Sequence, residues 1–267
     1  MPRGLDHIVH AVRDLDAAAA LYESLGFTVG TRNKHPWGTH NRIIQLGSSY
    51  IELLTVGEPE KITPHAPHVF SFGAFHRDFL AHEQGLAMIL LNSADATADS
   101  DAWRTAGIGD FEVFNFEREG KRPDGSPVNL AFSLIFAADP GAPATGFGAC
   151  QHYYPENFWN PAFQNHANGV KGIASVVLVA KTPTRHRDFL LAYSGALDVR
   201  DAGDGFVIDL SHGAIEVMTS AAFADAFEAE PPDTSRGPQL AALRFAGAWT
   251  ARKHSALGAL LLFEPAR

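Results

Sequence analysis

A unit of one strand, one helix and three strands recurs along this chain of 267 residues, and it limits the fold more than any other sequence feature. In the first copy, a β-prone apolar segment at residues 5–12 precedes a helix that Asp14 or Asp16 caps and Gly26 ends. Strands are predicted next near residues 27–31, 41–46 and 50–54. The repeat predicts an α+β fold made of tandem βαβββ modules that form curved mixed sheets.

Later segments repeat this order. The second copy has a strand at residues 86–91, a helix near 95–106, and strands near 111–116, 128–136 and 147–153, with a turn at Pro123-Asp124-Gly125. The third runs from a strand at 173–179 through a helix near 184–193 to a strand at 214–218. The tail has room only for a strand, a short helix and a strand, so we expect a shortened fourth module. Modules at 4–56, 85–156, 170–220 and 238–265 predict two domains, 1–160 and 169–267.

Two strands of the first module each carry one residue that can bind a metal. Alternation places His7 on the face of Val9 and Ala11, and it places Glu52 on the face of Tyr50 and Leu54. A single polar residue on such a face is more often a hydrogen-bonded core residue than a ligand. In the third module, Ser175 and Glu216 fall at the corresponding positions, which predicts a structural role for the second half.

Composition narrows the chemistry and the location. The single cysteine, Cys150, excludes a disulfide framework and a zinc site built from cysteines, so a metal here must use histidine and carboxylate ligands. Thirty acidic against 21 basic residues argue against general electrostatic attraction to nucleic acid. No secretion signal and no long apolar run are evident. We therefore expect a cytoplasmic protein that binds neither nucleic acid nor membrane.

The motifs resemble those of the vicinal oxygen chelate superfamily, and in particular its glyoxalase-like branch. The general resemblance lies in Leu5-Asp6-His7-Ile8-Val9 and in Tyr50-Ile51-Glu52-Leu53-Leu54 about 45 residues later. Three further segments carry the closer match: His35-Pro36-Trp37-Gly38-Thr39-His40-Asn41, Lys121-Arg122-Pro123-Asp124-Gly125, and Cys150-Gln151-His152 with the residues that follow it. Together they span residues 5–179.

The resemblance implies a metal site. In this superfamily two modules form a cup, and a divalent ion binds inside it to the first and last strands. Carried over, this implies His7, Glu52 and His152 as ligands of a divalent Fe, Mn, Zn or Ni ion. The fourth position falls near Ala87, which cannot bind metal and puts glyoxalase I activity in doubt. A register slip of one residue would exchange His152 for Gln151.

Further candidates surround this site. His40 is the candidate proton carrier, although a surface histidine would fit the same position. Asn41 can bind substrate or hold the Gly38-Thr39 turn. The other substrate-binding candidates are polar or aromatic, and each is also compatible with an ordinary hairpin or core role: Arg118, Arg122, Tyr153 and Trp159.

The resemblance implies a metal-dependent lyase or isomerase, or a ring-cleaving dioxygenase, acting on a small substrate that chelates the ion through two vicinal oxygens. The alternative is a metal-free protein that sequesters a small molecule, as bleomycin-binding relatives do. Modules of this superfamily pair within one chain or across a dimer, so a homodimer stays open.

Overall fold

The computed structural model describes residues 1–121 and 126–266. Its strands are β1 (Leu5–Ala11), β2 (Asn33–Lys34), β3 (Thr39–Leu46), β4 (Ser49–Val56), β5 (Gly85–Asn92), β6 (Phe114–Lys121), β7 (Pro127–Ala137), β8 (Gly146–His152), β9 (Gly172–Val179), β10 (Arg200–Ala202), β11 (Gly205–Asp209), β12 (Ala214–Met218), β13 (Gln239–Ala248), β14 (Arg252–Ala256) and β15 (Ala259–Pro265). The α-helices are α1 (Leu15–Ser24), α2 (Phe72–His82), α3 (Ala96–Thr105), α4 (Pro155–Phe158), α5 (Arg187–Ser194) and α6 (Ser220–Phe227), and 3-10 turns occupy Pro59–Lys61, Pro161–Gln164 and Pro183–His186.

The first two modules form a curved sheet, the first cup, in the order β2-β3-β4-β1-β5-β8-β7-β6. Within each module the first strand pairs in parallel with the last, as β1 does with β4 and β5 with β8. The two modules join where β1 and β5 run antiparallel. The first and last strands of both modules therefore lie together at the centre of the cup, where the sequence predicts the site.

The remaining modules form the second cup, in the order β10-β11-β12-β9-β13-β15-β14. A single pairing between Leu240 of β13 and Leu86 of β5 joins both cups into one 15-stranded sheet. The predicted α+β fold of βαβββ modules is confirmed. One hydrophobic core contains residues of both halves, with Phe27 against Phe245 and Phe263, and Trp103 against Tyr193. The division into domains 1–160 and 169–267 stays a prediction.

A helix covers the concave side of each cup. Phe72 and Phe79 of α2 pack on the first cup, and Phe223 and Phe227 of α6 pack on the second. Neither helix is predicted from the sequence, because both lie between modules. None of the helices in the described ranges is long and apolar enough to cross a membrane.

Three local predictions are wrong. No strand forms at residues 27–31, because this segment meets β3 through one backbone–backbone hydrogen bond, from the Gly30 amide to the Ile43 carbonyl. Residues 111–113 are not part of β6, since the Glu112 amide bonds the His68 carbonyl instead. The tail has the strand β14 in place of the short helix. Leu257 and Gly258, with φ of 52° and 77°, form the tight turn that joins β14 to β15. The predicted turn at residues 123–125 lies outside the described residues.

Candidate functional site

The first cup contains a cavity of about 560 Å³, part of it open to solvent. Its lining combines polar side chains with aromatic rings. The polar members come chiefly from β1, β3 and β4, and the aromatic ones from α2, α4 and the β6–β7 hairpin. The lining residues are His7, His35, Trp37, Asn41, Ile43, Tyr50, Glu52, Phe72, Phe116, Arg118, Phe132, Leu134, Cys150 and Phe158. This size and composition are typical of a small-molecule site.

A β-bulge at the start of β1 places a second acidic group beside His7. The pairing of β1 with β5 shifts register between Leu5 and His7, so Asp6 lies on the same side as His7. The Asp6 carboxylate is fully buried and accepts a 3.2 Å hydrogen bond from His7 Nδ1. Asp6 also accepts from His152 Nε2, at 3.0 and 2.9 Å. Burial pushes the pKa of Asp6 up, but the charge and hydrogen bond of His152, and then those of His7, lower it to about 2.

A chain of hydrogen bonds fixes Glu52. The Asn41 amide donates to Glu52 Oε1 at 2.5 Å and to His35 Nε2 at 3.2 Å. His35 Nδ1 in turn donates to Thr39 Oγ1 at 2.8 Å, which assigns the proton of the imidazole to Nδ1. Asn33 donates to Asn41 Oδ1 at 3.1 Å, so this amide is held on both of its ends. Burial raises the pKa of Glu52 and lowers that of His35 to about 3.

His7 and Glu52 face each other across a gap. When His7 Nδ1 donates to Asp6, the neutral imidazole carries its lone pair on Nε2, which lies 3.8 Å from Glu52 Oε2. Two acceptor atoms at this distance do not hydrogen-bond, but they suit two ligands of one metal ion, whose bonds to nitrogen and oxygen are about 2.0–2.2 Å long. Tyr50 stacks on the His7 ring, with ring centroids 4.3 Å apart, and holds its plane. The donor pair therefore fits a divalent ion.

The structure places His152 beside Asp6. Gln151 points the other way, where its Oε1 accepts from the Ala96 amide at the start of α3. Within residues 1–121 and 126–266, the one group of three potential ligands with atoms within 4.8 Å of one another is Asp6, Cys150 and His152. His152 therefore connects to His7 through Asp6, and these three side chains do not converge with Glu52 on a single point.

The remaining candidates divide into two groups. Asn41 and Arg118 line the cavity. His40 does not, because its neighbour Asn41 takes the inward-facing position on β3, and its imidazole bonds Glu58 Oε2 at 3.2 Å and Arg32 at 3.3 Å.

The aromatic candidates also lie away from the cavity. Tyr153 is exposed and bonds Ser133 at 2.9 Å. Trp159 stacks on His152, outside the lining of this cavity. Arg122 lies outside the described residues.

Sequence reasoning missed Asp6 and His35. Strict alternation assigns Asp6 to the opposite face, and the bulge that reverses it depends on pairing with a strand 80 residues away. His35 belongs to a motif that the resemblance already includes, and its neighbours Thr39 and Asn41 repeat at the spacing of one hairpin face. That spacing was the available signal.

The second cup carries different groups at the matching positions. Ser175 donates a short hydrogen bond to Glu216, and Arg244 pairs with Glu264 at 2.7 Å and with Glu216 at 3.6 Å. Each carboxylate thus has a partner from the chain itself. The structural role expected for the second half stays a prediction.

Two solved structures share this fold over more than nine tenths of the chain. A hypothetical protein from Staphylococcus aureus has 17% identity and a TM-score of 0.72, over 98% of this chain and 99% of that chain. A mutant 4-hydroxymandelate synthase from Streptomyces coelicolor has 13% identity and a TM-score of 0.51, over 92% and 71%. A variant methylmalonyl-CoA epimerase from Streptomyces coelicolor has 18% identity and a TM-score of 0.41, over 57% and 96%. At these identities the likeness to the first two proteins concerns the fold alone.

The chain matches no curated protein sequence significantly. A family model described as a glyoxalase-like domain matches residues 5–193, which is most of the chain. The chain therefore belongs to the glyoxalase-like domain family, within the vicinal oxygen chelate superfamily.

Proposed function

We propose that this protein is a metal-dependent enzyme that acts on a small oxygenated substrate in the cavity of the first cup. One observation carries the proposal: His7 Nε2 lies 3.8 Å from Glu52 Oε2 without a hydrogen bond to it, while His7 Nδ1 is bonded to Asp6. His7 and Glu52 would hold the ion. A divalent ion bound there would act as a Lewis acid toward a substrate oxygen.

Hydrogen bonds from the surrounding residues orient His7 and Glu52. Asp6 fixes the tautomer and ring orientation of His7, as carboxylates commonly do behind a metal-binding histidine. Asn41 plays the same part for Glu52, and His35 and Thr39 hold Asn41 in turn. The site is therefore preorganised on three adjacent strands.

The aromatic wall supports chemistry that needs water excluded. Phe116, Phe132 and Phe158 line the same cavity as the polar pair. A charge that develops on a substrate oxygen in such surroundings is stabilised strongly by a nearby fixed cation, because little water screens it. This suits reactions that pass through an oxyanion, such as isomerisation or lyase chemistry. His40, the sequence candidate for proton transfer, lies outside the cavity lining, so we assign it no role in this chemistry.

The second candidate is a metal-free protein that binds a small molecule. The aromatic rings of the cavity favour it, since stacking alone can hold a planar ligand. The buried carboxylates argue for the enzyme instead. A sequestration site needs neither Glu52 nor a carboxylate behind His7.

The test is elemental analysis of untagged protein purified without chelator, beside the variants His7→Ala and Glu52→Gln. Glu216→Gln is the matched control, because Glu216 occupies the corresponding position of the second cup. We expect near-stoichiometric divalent Fe, Mn, Zn or Ni in the wild type and in Glu216→Gln, and its loss in the two site variants. A wild type that stays metal-free after reconstitution with each ion would refute the enzyme and favour the binding protein.

A further inference from the structure

Arg118 is a cation that has no ion-pair partner within residues 1–121 and 126–266. It lies on β6, half-buried, and lines the cavity of the first cup. Among the described residues, its guanidinium forms no hydrogen bond and no ion pair with a carboxylate. The neighbouring Glu117 and Glu119 are exposed, because alternation along β6 turns them to the opposite face. Burial lowers the pKa of Arg118, although the nearby Tyr50 raises it.

Glu52 does not neutralise this charge. Both side chains line the same cavity, but Glu52 is bonded to Asn41 and is not within ion-pair distance of Arg118. Most other arginines of the described ranges have an acidic partner, as Arg3 has Asp99 and Arg244 has Glu264. A half-buried charge without a partner is costly unless a ligand supplies the counter-charge.

The surroundings of Arg118 define the rest of the ligand. A second, wider recess adjoins the cavity, and the two share Ile43, Arg118 and Phe158. Arg118 thus stands where the recess meets the aromatic wall of Phe116 and Phe132. Neither recess has another lysine or arginine among its described lining residues. A single guanidinium matches the two oxygens of one carboxylate, whereas a phosphate dianion usually needs more donors.

We propose that Arg118 binds the carboxylate of an aromatic acid whose ring packs among Phe116, Phe132 and Phe158. This deepens the proposed function, on which it rests for the choice of cavity. It names the substrate class as monoanionic aryl carboxylic acids. His7 and Glu52 would then face the reactive, oxygen-bearing end of the bound acid.

The test is isothermal titration calorimetry of the protein as purified, with phenylacetate, its neutral isostere phenylacetamide, and phenyl phosphate. The variants are Arg118→Gln, which removes the charge, and Arg118→Lys, which keeps it without the planar fork. Arg200→Gln is the matched control, because Arg200 is exposed and paired with Asp209 on another strand. Metal content is measured on the same samples.

We expect the wild type and Arg200→Gln to bind phenylacetate at least about tenfold more tightly than phenylacetamide, since a charge-assisted bidentate pair contributes this much. Arg118→Gln should lose that preference while its affinity for the amide stays unchanged, and Arg118→Lys should keep part of it.

Three results would overturn the assignment: equal affinity for acid and amide, no acid binding at millimolar concentration, or tighter binding of phenyl phosphate. Acid binding in a protein that stays metal-free after reconstitution with each ion would refute the proposed enzyme but support this site. Bound metal without acid binding would do the reverse.

Discussion

At the scale of single residues, Asp6 determines how the site is arranged. Its carboxylate is fully buried and accepts hydrogen bonds from two imidazoles, His7 and His152. A buried carboxylate in this position stays ionised because both partners favour its charge. The consequence is that His7 keeps Nε2 free for the cavity, and that His152 acts on the site through Asp6.

The first prediction is that Asp6→Asn weakens metal binding by about 10–100-fold without abolishing it, as expected for loss of a carboxylate behind a metal-binding histidine. Competition titration against a chromogenic chelator measures the affinity, and circular dichroism checks the fold. Asp209→Asn, an exposed residue of β11 in the second half, serves as control and should bind as the wild type does. Unchanged affinity in a folded Asp6→Asn protein would contradict the role given to Asp6.

Sequence predicts the residues of the site to the extent that strands alternate regularly. His7, Glu52 and Asn41 are named from alternation and resemblance, and all three line the cavity. The position of Asp6 is not predicted, because the β-bulge depends on pairing with β5 and the local sequence does not indicate it. The contact between His152 and Asp6 is not predicted for the same reason.

At the scale of elements, α2 and α6 pack on corresponding faces of the two cups. In the second cup, Phe223 and Phe227 of α6 pack against β9 and neighbouring strands. In the first cup, Phe72 of α2 packs against Val9 and also lines the cavity that contains Glu52. Helix α2 therefore forms part of the candidate site.

The second prediction concerns the packing of α6 on the second cup. Phe223→Ala should lower the free energy of unfolding by about 3–5 kcal/mol, because it opens a cavity in a packed face. Chemical denaturation measures the change, and exposed Leu197→Ala should alter it by less than about 0.5 kcal/mol. We expect the metal content of the folded Phe223→Ala protein to be unchanged. Loss of metal would show that the second cup contributes to the site.

Sequence predicts the elements inside modules better than those between them. The caps of α1 and α3, Asp14 and Asp95, are visible signals, and both accept from the helix amides as expected. Helices α2 and α6 also have N-terminal caps, Ser71 and Thr219. They are not predicted, because neither belongs to the repeated unit. The tail is read as helical because its turn requires positive φ at Leu257, an unusual residue for that conformation.

At the scale of the whole molecule, polar contacts as well as apolar ones join the two cups. Tyr193 of α5 donates to the Ile89 and Gly148 carbonyls of the first cup. His10 of β1 bonds Tyr22 at 2.9 Å and donates from Nε2 to the Leu257 carbonyl of the second cup, also at 2.9 Å. The module repeat predicts both cups, but not this junction, since one strand pairing between β5 and β13 has no sequence signature.

The third prediction uses the pKa of His10, which burial lowers from 6.5 to about 4, although the bond to Leu257 raises it. The unfolded chain thus binds a proton that the folded protein excludes. The contribution of His10 to the free energy of unfolding is complete above pH 6.5. It decreases as the pH falls from about 6.5 to about 4, by up to roughly 1.4 kcal/mol per pH unit. Urea denaturation across this range should show a shallower pH dependence for His10→Gln than for the wild type. Equal slopes would contradict the assignment.

The most direct test of the account is anomalous diffraction from a crystal of the metal-bearing protein, recorded on both sides of the absorption edge of the metal it carries. We predict one peak per chain, in the first cup, bonded to His7 Nε2 and to an oxygen of Glu52, with Asp6 behind His7. A peak bonded to Asp6, Cys150 and His152, with none beside Glu52, would contradict the account.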